Sequence, residues 1–600
     1  MAMAIIFPRD APCSPWLKWL NKHMKAIAGL ILLLMTVSAT TAQETADAVY
    51  YNGQIVTMWE ARPTAEAVAI RGARFLKVGS NAEVLQTAGA ETKKIDLGGR
   101  TVLPGLIDSH THPIGAALSE RDGPLPAFNS IADVQAYIRQ RAARLPKDQV
   151  ILVPKVFSPR LKERRYPTRY ELDAAASDRP VIADNGYAGV VNSFLLDKLK
   201  ITRDTPQPAN GKIIKDGKGE PTGLILGAPQ LLRDWRRERT ATASEMVEAL
   251  KRMQQAYNRA GITSTIDRGQ GAEGFRAYQE LHRRGEMTVR SYVTYRISGQ
   301  GTPQQARAEV ERIPFVTGWG DDWLRVGSLK IVMDGGILIG TAYLREPYGE
   351  HTSVYGYHDP AYRGVLAVPR ENVVEIARAA NELGWQMTAH VTGGGSLDVL
   401  LDAYETADRE RSIRDRRFTV THGNFPNEQA IARAKRLGVV FDCQPMWHHL
   451  DAPVIKDVLG AERMKHFLPF RSMLDAGVVV AGGSDHMVRF DPRLATNPYH
   501  PFFGMWMAIT RQTVDGSVIN PEQRITRIEA LRMWTLNGAY LSFEEKSKGS
   551  IEPGKLADLI VVSKDFLSCP ADEIKEIEPL LTLVGGKEVY RLSHSAAERR

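Results

Sequence analysis

The chain has 600 residues, 43% of them apolar and 24% charged, with a net charge of +8. That is ordinary for a soluble folded protein and leaves room for a large single-core domain with a satellite. No Lys/Arg cluster is interleaved with aromatics, which argues against nucleic acid, and three cysteines (Cys13, Cys443 and Cys569) make neither a disulfide scaffold nor a CxxC zinc site.

The first segment, "WLKWLNKHMK" followed by "AIAGLILLLMTVSA", is basic and then apolar. The apolar run is short of the about 20 residues that a membrane span needs. Small residues follow, and cleavage after Ala42 makes residues 1–42 a signal peptide. A retained N-terminal anchor is the alternative, and Met24 is an alternative start. The globular part is then exported, periplasmic or secreted, with no stable membrane span after cleavage.

Residues 43–101 read as short strands, as in "AVYYNGQIVTM" and "AEAVAIRGARFLKVG", with Asn-Gly and Arg-Gly turns. Residues 548–600 have the same texture, in "GSIEPGKLADLIVVSKD" and "LTLVGGKEVYR". The two ends are expected to form one small β-sandwich, which the chain leaves at about Val102 and re-enters near Lys548.

Between them, eight apolar strand-like runs alternate with amphipathic segments: residues 105–110, 261–268, 289–297, 326–335, 384–391, 417–423, 438–445 and 477–485. Apolar strands alternating with helices point to parallel βα units, and eight of them to an α/β fold of the TIM-like (β/α)8 barrel type over residues 102–547. The gap between the first two runs is too long for one helix. It is expected to hold an insertion at about 150–235 with strands of its own ("QVILVPKVF", "PVIADN").

The chemistry-bearing residues fall at the ends of these runs. His110 and His112 close the first, in "LPGLIDSHTHP", and His390, His422 and Asp485 close the fifth, sixth and eighth. Lys330 lies within the fourth. The C-terminal rim of such a barrel is where active sites are built. His-X-His on a strand puts both imidazoles on one face, within reach of one metal ion. His390 and His422 can serve a second ion. Asp485 can ligate a metal and accept a proton from activated water. Lys330 is flanked by apolar residues and aimed at a cationic site, so its pKa should fall. A neutral lysine can add carbon dioxide, and the resulting carbamate has two oxygens suited to bridging two metals.

These motifs resemble the amidohydrolase superfamily, in the branch that includes N-substituted formamide deformylase. "LKIVMDGGILIGTAYL" resembles its lysine motif, "HVTGGGSLDVLLDAYE" and "VTHGNF" its later histidine motifs, and "AGGSDHMV" its aspartate motif. The similarity covers roughly residues 46–595. It implies two divalent metal ions, of zinc type. His110, His112 and Asp485 would hold the first and His390 and His422 the second, with carboxylated Lys330 as the bridge. It further implies attack on a carbonyl by a metal-bridging hydroxide, with Asp485 as the catalytic proton carrier.

Two departures bear on the substrate. Where the branch has Gly-His before "VNS", this chain has Tyr187, whose phenol can hydrogen-bond a carbonyl or oxyanion. Where it has Gly-Asp after the strand-five histidine, this chain has Gly393-Gly394. Trp447, His448 and His449, in "QPMWHHLD", are expected on a rim loop as further substrate contacts.

The sequence therefore points to a hydrolase of carbon–nitrogen bonds other than peptide bonds, acting on a small amide, N-acyl, formamide or cyclic amide. An esterase or lactonase on the same site, a deaminase, and a binding or regulatory protein on a retired barrel are the alternatives. A homo-oligomer is compatible with the sequence.

Overall fold

The computed structural model describes residues 44–208, 211–227, 229–236 and 240–593. The expected signal peptide, with Cys13, lies outside them. Among the described residues no helix is long and apolar enough to cross a membrane.

Eight parallel strands form one sheet in strict sequence order: β1 (Leu106–Thr111), β2 (Ile262–Gln270), β3 (Arg290–Arg296), β4 (Leu324–Val332), β5 (Met387–Val391), β6 (Thr419–His422), β7 (Val440–Cys443) and β8 (Val480–Gly482). Residues just beyond β8 bring the sheet round to β1. Thr111 bridges His486, and the Asp485 amide donates to the His110 carbonyl at 2.8 Å. The result is a near-closed TIM-like barrel, as its alternating pattern indicates.

The helices outside follow the same physics. Residues Arg370–Leu383 bury Val373, Ile376, Ala377 and Ala380 at a helical repeat against the barrel. That helix stops at Gly384, whose φ of 88° is left-handed and favours glycine.

A six-stranded sheet combines both chain ends: Gln54–Val56, Thr64–Ala65 and Thr101–Pro104 from the first, Leu559–Val562, Pro579–Val584 and Lys587–Arg591 from the second. Thr101–Pro104 still belongs to this sheet, slightly past the exit at Val102 that the sequence suggests. A four-stranded sheet from residues 46–96 packs on it through Val68, Ile70 and Phe75 on one side and Val102, Leu559 and Val561 on the other. Between β1 and β2, five further strands between residues 151 and 227 form a separate mixed sheet. Its turn at 185–187 reaches the barrel mouth, where Gly186 and Tyr187 line the central cavity. Cys443 and Cys569 are both free thiols.

Candidate metal centre and active site

The C-terminal ends of the barrel strands surround a cavity of about 420 Å³. His110, His112, Lys330, His390, His422 and Asp485 all line it, so residues drawn from five strands converge as the strand-end positions predict. Tyr187 and Trp447 line it as well.

Hydrogen bonds on the far side of the His110, His390 and His422 rings orient the nitrogens that face the cavity. His110 Nδ1 donates to Asp442 Oδ2 at 3.1 Å. Its Nε2 is buried 3.1 Å from Asp485 Oδ1 and makes no hydrogen bond. His112 Nε2 approaches the same carboxylate oxygen at 3.3 Å. His110, His112 and Asp485 thus offer three ligand atoms within 4.8 Å of one another. Two imidazole nitrogens and a carboxylate oxygen gathered this closely are a donor set that suits zinc.

On the other side, His390 Nε2 donates to the Gly335 carbonyl at 3.2 Å, which leaves Nδ1 facing inward. His422 Nδ1 is 2.6 Å from Gln444 Oε1. The Gln444 amide nitrogen is turned to the Asp442 carbonyl at 3.2 Å, so its oxygen accepts from His422. His422 Nε2 then also faces inward, 2.8 Å from His390 Nδ1. The Tyr187 hydroxyl, 3.1 Å from His390 Nδ1, can donate to one of these lone pairs but leaves the other. Residues and geometry therefore fit a metal at His110, His112 and Asp485, and His390 and His422 bring two further nitrogens to the same cavity. That is a test of donor chemistry, which general hydrogen-bonding rules supply.

Burial sets the charges. Desolvation lowers Lys330 to about 7, against the opposing pull of Asp485. Desolvation also takes His112 to about 4 and His390 to about 3, with Lys330 adding to the latter, and it keeps His422 well below its ordinary value. All three imidazoles are neutral at pH 7 and able to ligate. Burial opposes ionisation of Asp485, yet His110 and His112 hold it well below the usual carboxylate range. Lys330 itself makes no side-chain hydrogen bond among the described residues, as a partly neutral amine in this setting can.

Backbone strain marks the same positions. His422 and Asp485 are left-handed, with φ of 74° and 53°, where non-glycine residues are disfavoured by about 1–3 kcal/mol. Asn497 holds Asp485 in place, donating to its carbonyl at 2.8 Å and to Oδ2 at 3.2 Å.

The supporting shell escaped the sequence reading. Asp442, on β7, accepts from His110, from Ser109 Oγ at 2.6 Å and from Arg268 at 3.0 Å, all fully buried. Its signal is present in "VVFDCQP": Asp442 and Gln444 alternate with Phe441 and Cys443, the period of an inward-facing strand edge. Asp334, after β4, accepts from the Thr392 and Gly393 amides at 3.0 and 2.8 Å and from Ser396 Oγ at 2.5 Å. It brings a carboxylate to the corner where Gly393-Gly394 lacks one. A side chain at Gly393 is excluded, since its Cβ would lie 2.0 Å from the Tyr343 carbonyl oxygen.

The 447–449 triplet needs correction. It lies on a helix, Met446–Met464, and not on a loop. Trp447, Asp451 and Ile455 share one face at a four-residue repeat and line the cavity. Trp447 stacks on His422 with ring centres 4.8 Å apart. His448 and His449 fall on other faces and do not line it. His448 stacks on Phe467, and His449 bonds the Gln512 carbonyl at 2.8 Å between Phe503 and Trp506.

A barrel with histidine and aspartate side chains gathered on its C-terminal rim defines a hydrolase architecture. The amidohydrolase family profile matches residues 93–590. The chain is 30% identical over 570 residues to N-substituted formamide deformylase of Arthrobacter pascens, across 92% of this chain and 99% of that one. It is 28% identical over 561 residues to the putative amidohydrolase YtcJ of Bacillus subtilis (strain 168), across 91% and 100%. Its fold matches the crystal structure of an uncharacterized metal-dependent hydrolase from Pyrococcus horikoshii OT3, with a TM-score of 0.65 and 23% identity over 88% of this chain and 99% of that one. The chain belongs to the amidohydrolase family.

Proposed function

We propose that this protein is an exported hydrolase with two divalent metal ions, of zinc type, that cleaves the carbon–nitrogen bond of a small non-peptide amide. The observation that carries this reading is the inward-facing set of lone pairs: His110 Nε2 with Asp485 Oδ1 at one end, His390 Nδ1 with His422 Nε2 at the other. In this reading carboxylated Lys330 joins the two sets. When bound, the metals supply an activated water and a polarised substrate carbonyl.

The chain's own residues supply the rest. Asp485 is ionised at neutral pH and stands beside both histidines of β1. It accepts the proton of the attacking water and delivers it to the leaving amine nitrogen. Tyr187 stays a neutral phenol, because burial raises its pKa. Were a metal held at His390 Nδ1, the Tyr187 O–H would be free to donate to a carbonyl oxygen as negative charge develops there. Trp447 forms an apolar wall beside His422. The similarity to a formamide deformylase favours N-acyl and formamide substrates over esters.

The test is a matched panel of N-alkylformamides, N-acylamines, cyclic amides and the corresponding esters, assayed with the zinc-loaded protein. The expected products are an amine and a carboxylic acid, or a ring-opened acid. Ammonia without an acid would establish a deaminase, and turnover of esters alone an esterase or lactonase.

A further inference from the structure

We propose that the substrate carries a carboxylate or similarly compact anion, bound away from the scissile bond by Arg296 and Lys155. This rests on the hydrolase reading and names its substrate class. Apart from Lys330, four cationic side chains line the cavity: Lys155, Arg160, Arg268 and Arg296.

Two of the four are already neutralised. Arg160 pairs with both oxygens of Asp451 at 2.9 Å and donates to the Thr496 carbonyl at 2.7 Å. Arg268 is fully buried, pairs with Asp442 at 3.0 Å and donates to the Ser109 carbonyl at 3.0 Å. The other two make no ion pair among the described residues. Arg296 ends β3 at the rim, is exposed there, and makes no ion pair or side-chain hydrogen bond among the described residues. Lys155 is half-buried, and among the described residues its ammonium has one hydrogen-bond partner, the Asn185 carbonyl at 3.5 Å. Burial lowers its pKa, against the pull of Asp184 and Asp485.

Both side chains face one cavity. Arg296 and His112 flank the same glycine: a Cβ on Gly269 would lie 3.9 Å from both Arg296 Cδ and His112 Cε1. Lys155 Nζ lies 3.5 Å from where a Cβ on Gly186 would stand, on the turn that carries Tyr187. One cation therefore comes from the barrel rim and the other from the insertion, and both line the same cavity. A carboxylate accepts paired hydrogen bonds from a guanidinium, and in a partly desolvated cleft such a contact is stronger than in water. A cavity of about 420 Å³ has room for an amide with an acid-bearing arm.

The experiment uses full-length zinc-loaded protein and pairs of compounds that differ only in a carboxylate, such as N-formylphenylalanine against N-formylphenethylamine. Calorimetry gives Kd, and product release is followed in parallel. The acid member of each pair should bind at least tenfold more tightly. Arg296→Met should remove most of that preference, weakening the acid about tenfold while the neutral member is unchanged, and Lys155→Met should remove part of it. Arg296→Lys should restore some, as a charge without the fork. Equal affinities within the pairs, no binding by the acids, or a preference that survives in the double Arg296→Met, Lys155→Met variant would overturn the proposal. Tight, fast turnover of the neutral members would overturn it and leave the hydrolase reading standing. An acid preference without hydrolysis of either member would remove the hydrolase reading and leave the anion site.

Discussion

His422 Nε2 and His390 Nδ1 lie 2.8 Å apart, and each ring has its other nitrogen committed, one to Gln444 and one to the Gly335 carbonyl. Two lone pairs at that distance repel unless a cation joins them. Burial keeps both rings from supplying that cation as a proton, with His390 lowered to about 3 and His422 well below its ordinary value. The pair lines the same cavity as His110, His112 and Asp485.

This fixes a sign for pH dependence. An unfolded histidine titrates near 6.5, so the unfolded chain binds more protons than the folded one below that pH. The stability tied to these neutral rings is fully present above about pH 6.5. It is lost as pH falls toward the folded value of about 3 for His390. Chelator-treated protein should therefore show a Tm that is flat above neutrality and declines below about pH 6.5, with a shallower decline in His422→Gln. A Tm that rises on acidification would mean that a shared proton joins the rings.

Lys330 gives a second linkage. Its folded pKa of about 7 lies below its ordinary 10.5, so between these values the unfolded chain again holds more protons. The penalty is full below about pH 7 and fades as pH rises toward 10.5. At about 1.4 kcal/mol per pKa unit, Lys330→Met should stabilise metal-free protein by a few kcal/mol at pH 7 and flatten its stability between pH 7 and 10. The same variant should be inactive. Denaturant unfolding at several pH values checks this, and a Lys330→Met protein less stable than wild type at pH 7 would contradict it.

Asp442 should act through His110. Asp442→Asn keeps an oxygen for Arg268 but weakens the hold on Nδ1, and metal affinity should fall about 10- to 100-fold with modest loss of stability. Asp442→Ala leaves the fully buried Arg268 unpaired and should cost about 3–5 kcal/mol. Competition with a zinc chelator and urea unfolding separate the two effects.

The helical repeat at Trp447, Asp451 and Ile455 separates neighbours in sequence. Trp447→Ala should raise KM at least several-fold, since it removes the wall stacked on His422. His449→Gln, whose ring faces the Gln512 carbonyl, should leave kcat/KM within about threefold. Steady-state kinetics on one responsive substrate decides; equal effects at both positions would put His449 in the cavity after all.

The barrel and its ligand positions were legible because each strand is a continuous apolar run, and a polar residue that ends such a run can only stand at the rim. His110, His390, His422 and Asp485 all declare themselves this way. Arg268, Asp442 and Gln444 sit inside or directly after such runs, and only their two-residue alternation marks them. Asp334 is a loop residue whose role depends on where the start of the Gly394–Glu410 helix lies, which no local pattern gives. The 447–449 segment follows a proline and contains two adjacent histidines, and so reads as a loop. Once it is a helix, a turn of about 100° per residue sends His448 and His449 away from the face of Trp447. Lys155 and Arg296 come to line one cavity only when the insertion is folded over the rim.

The central claim is a binuclear site joined by Lys330, and metal content per chain tests it most directly. The protein should be purified without chelator, with zinc and bicarbonate present, and measured by elemental analysis. About two metals per chain in the wild type, falling to about one or none in Lys330→Ala and partly regained with added short carboxylic acids, is the predicted result. About one metal in both proteins would contradict the bridge, and none in either would mean that the histidines of "DSHTHP" hold no metal.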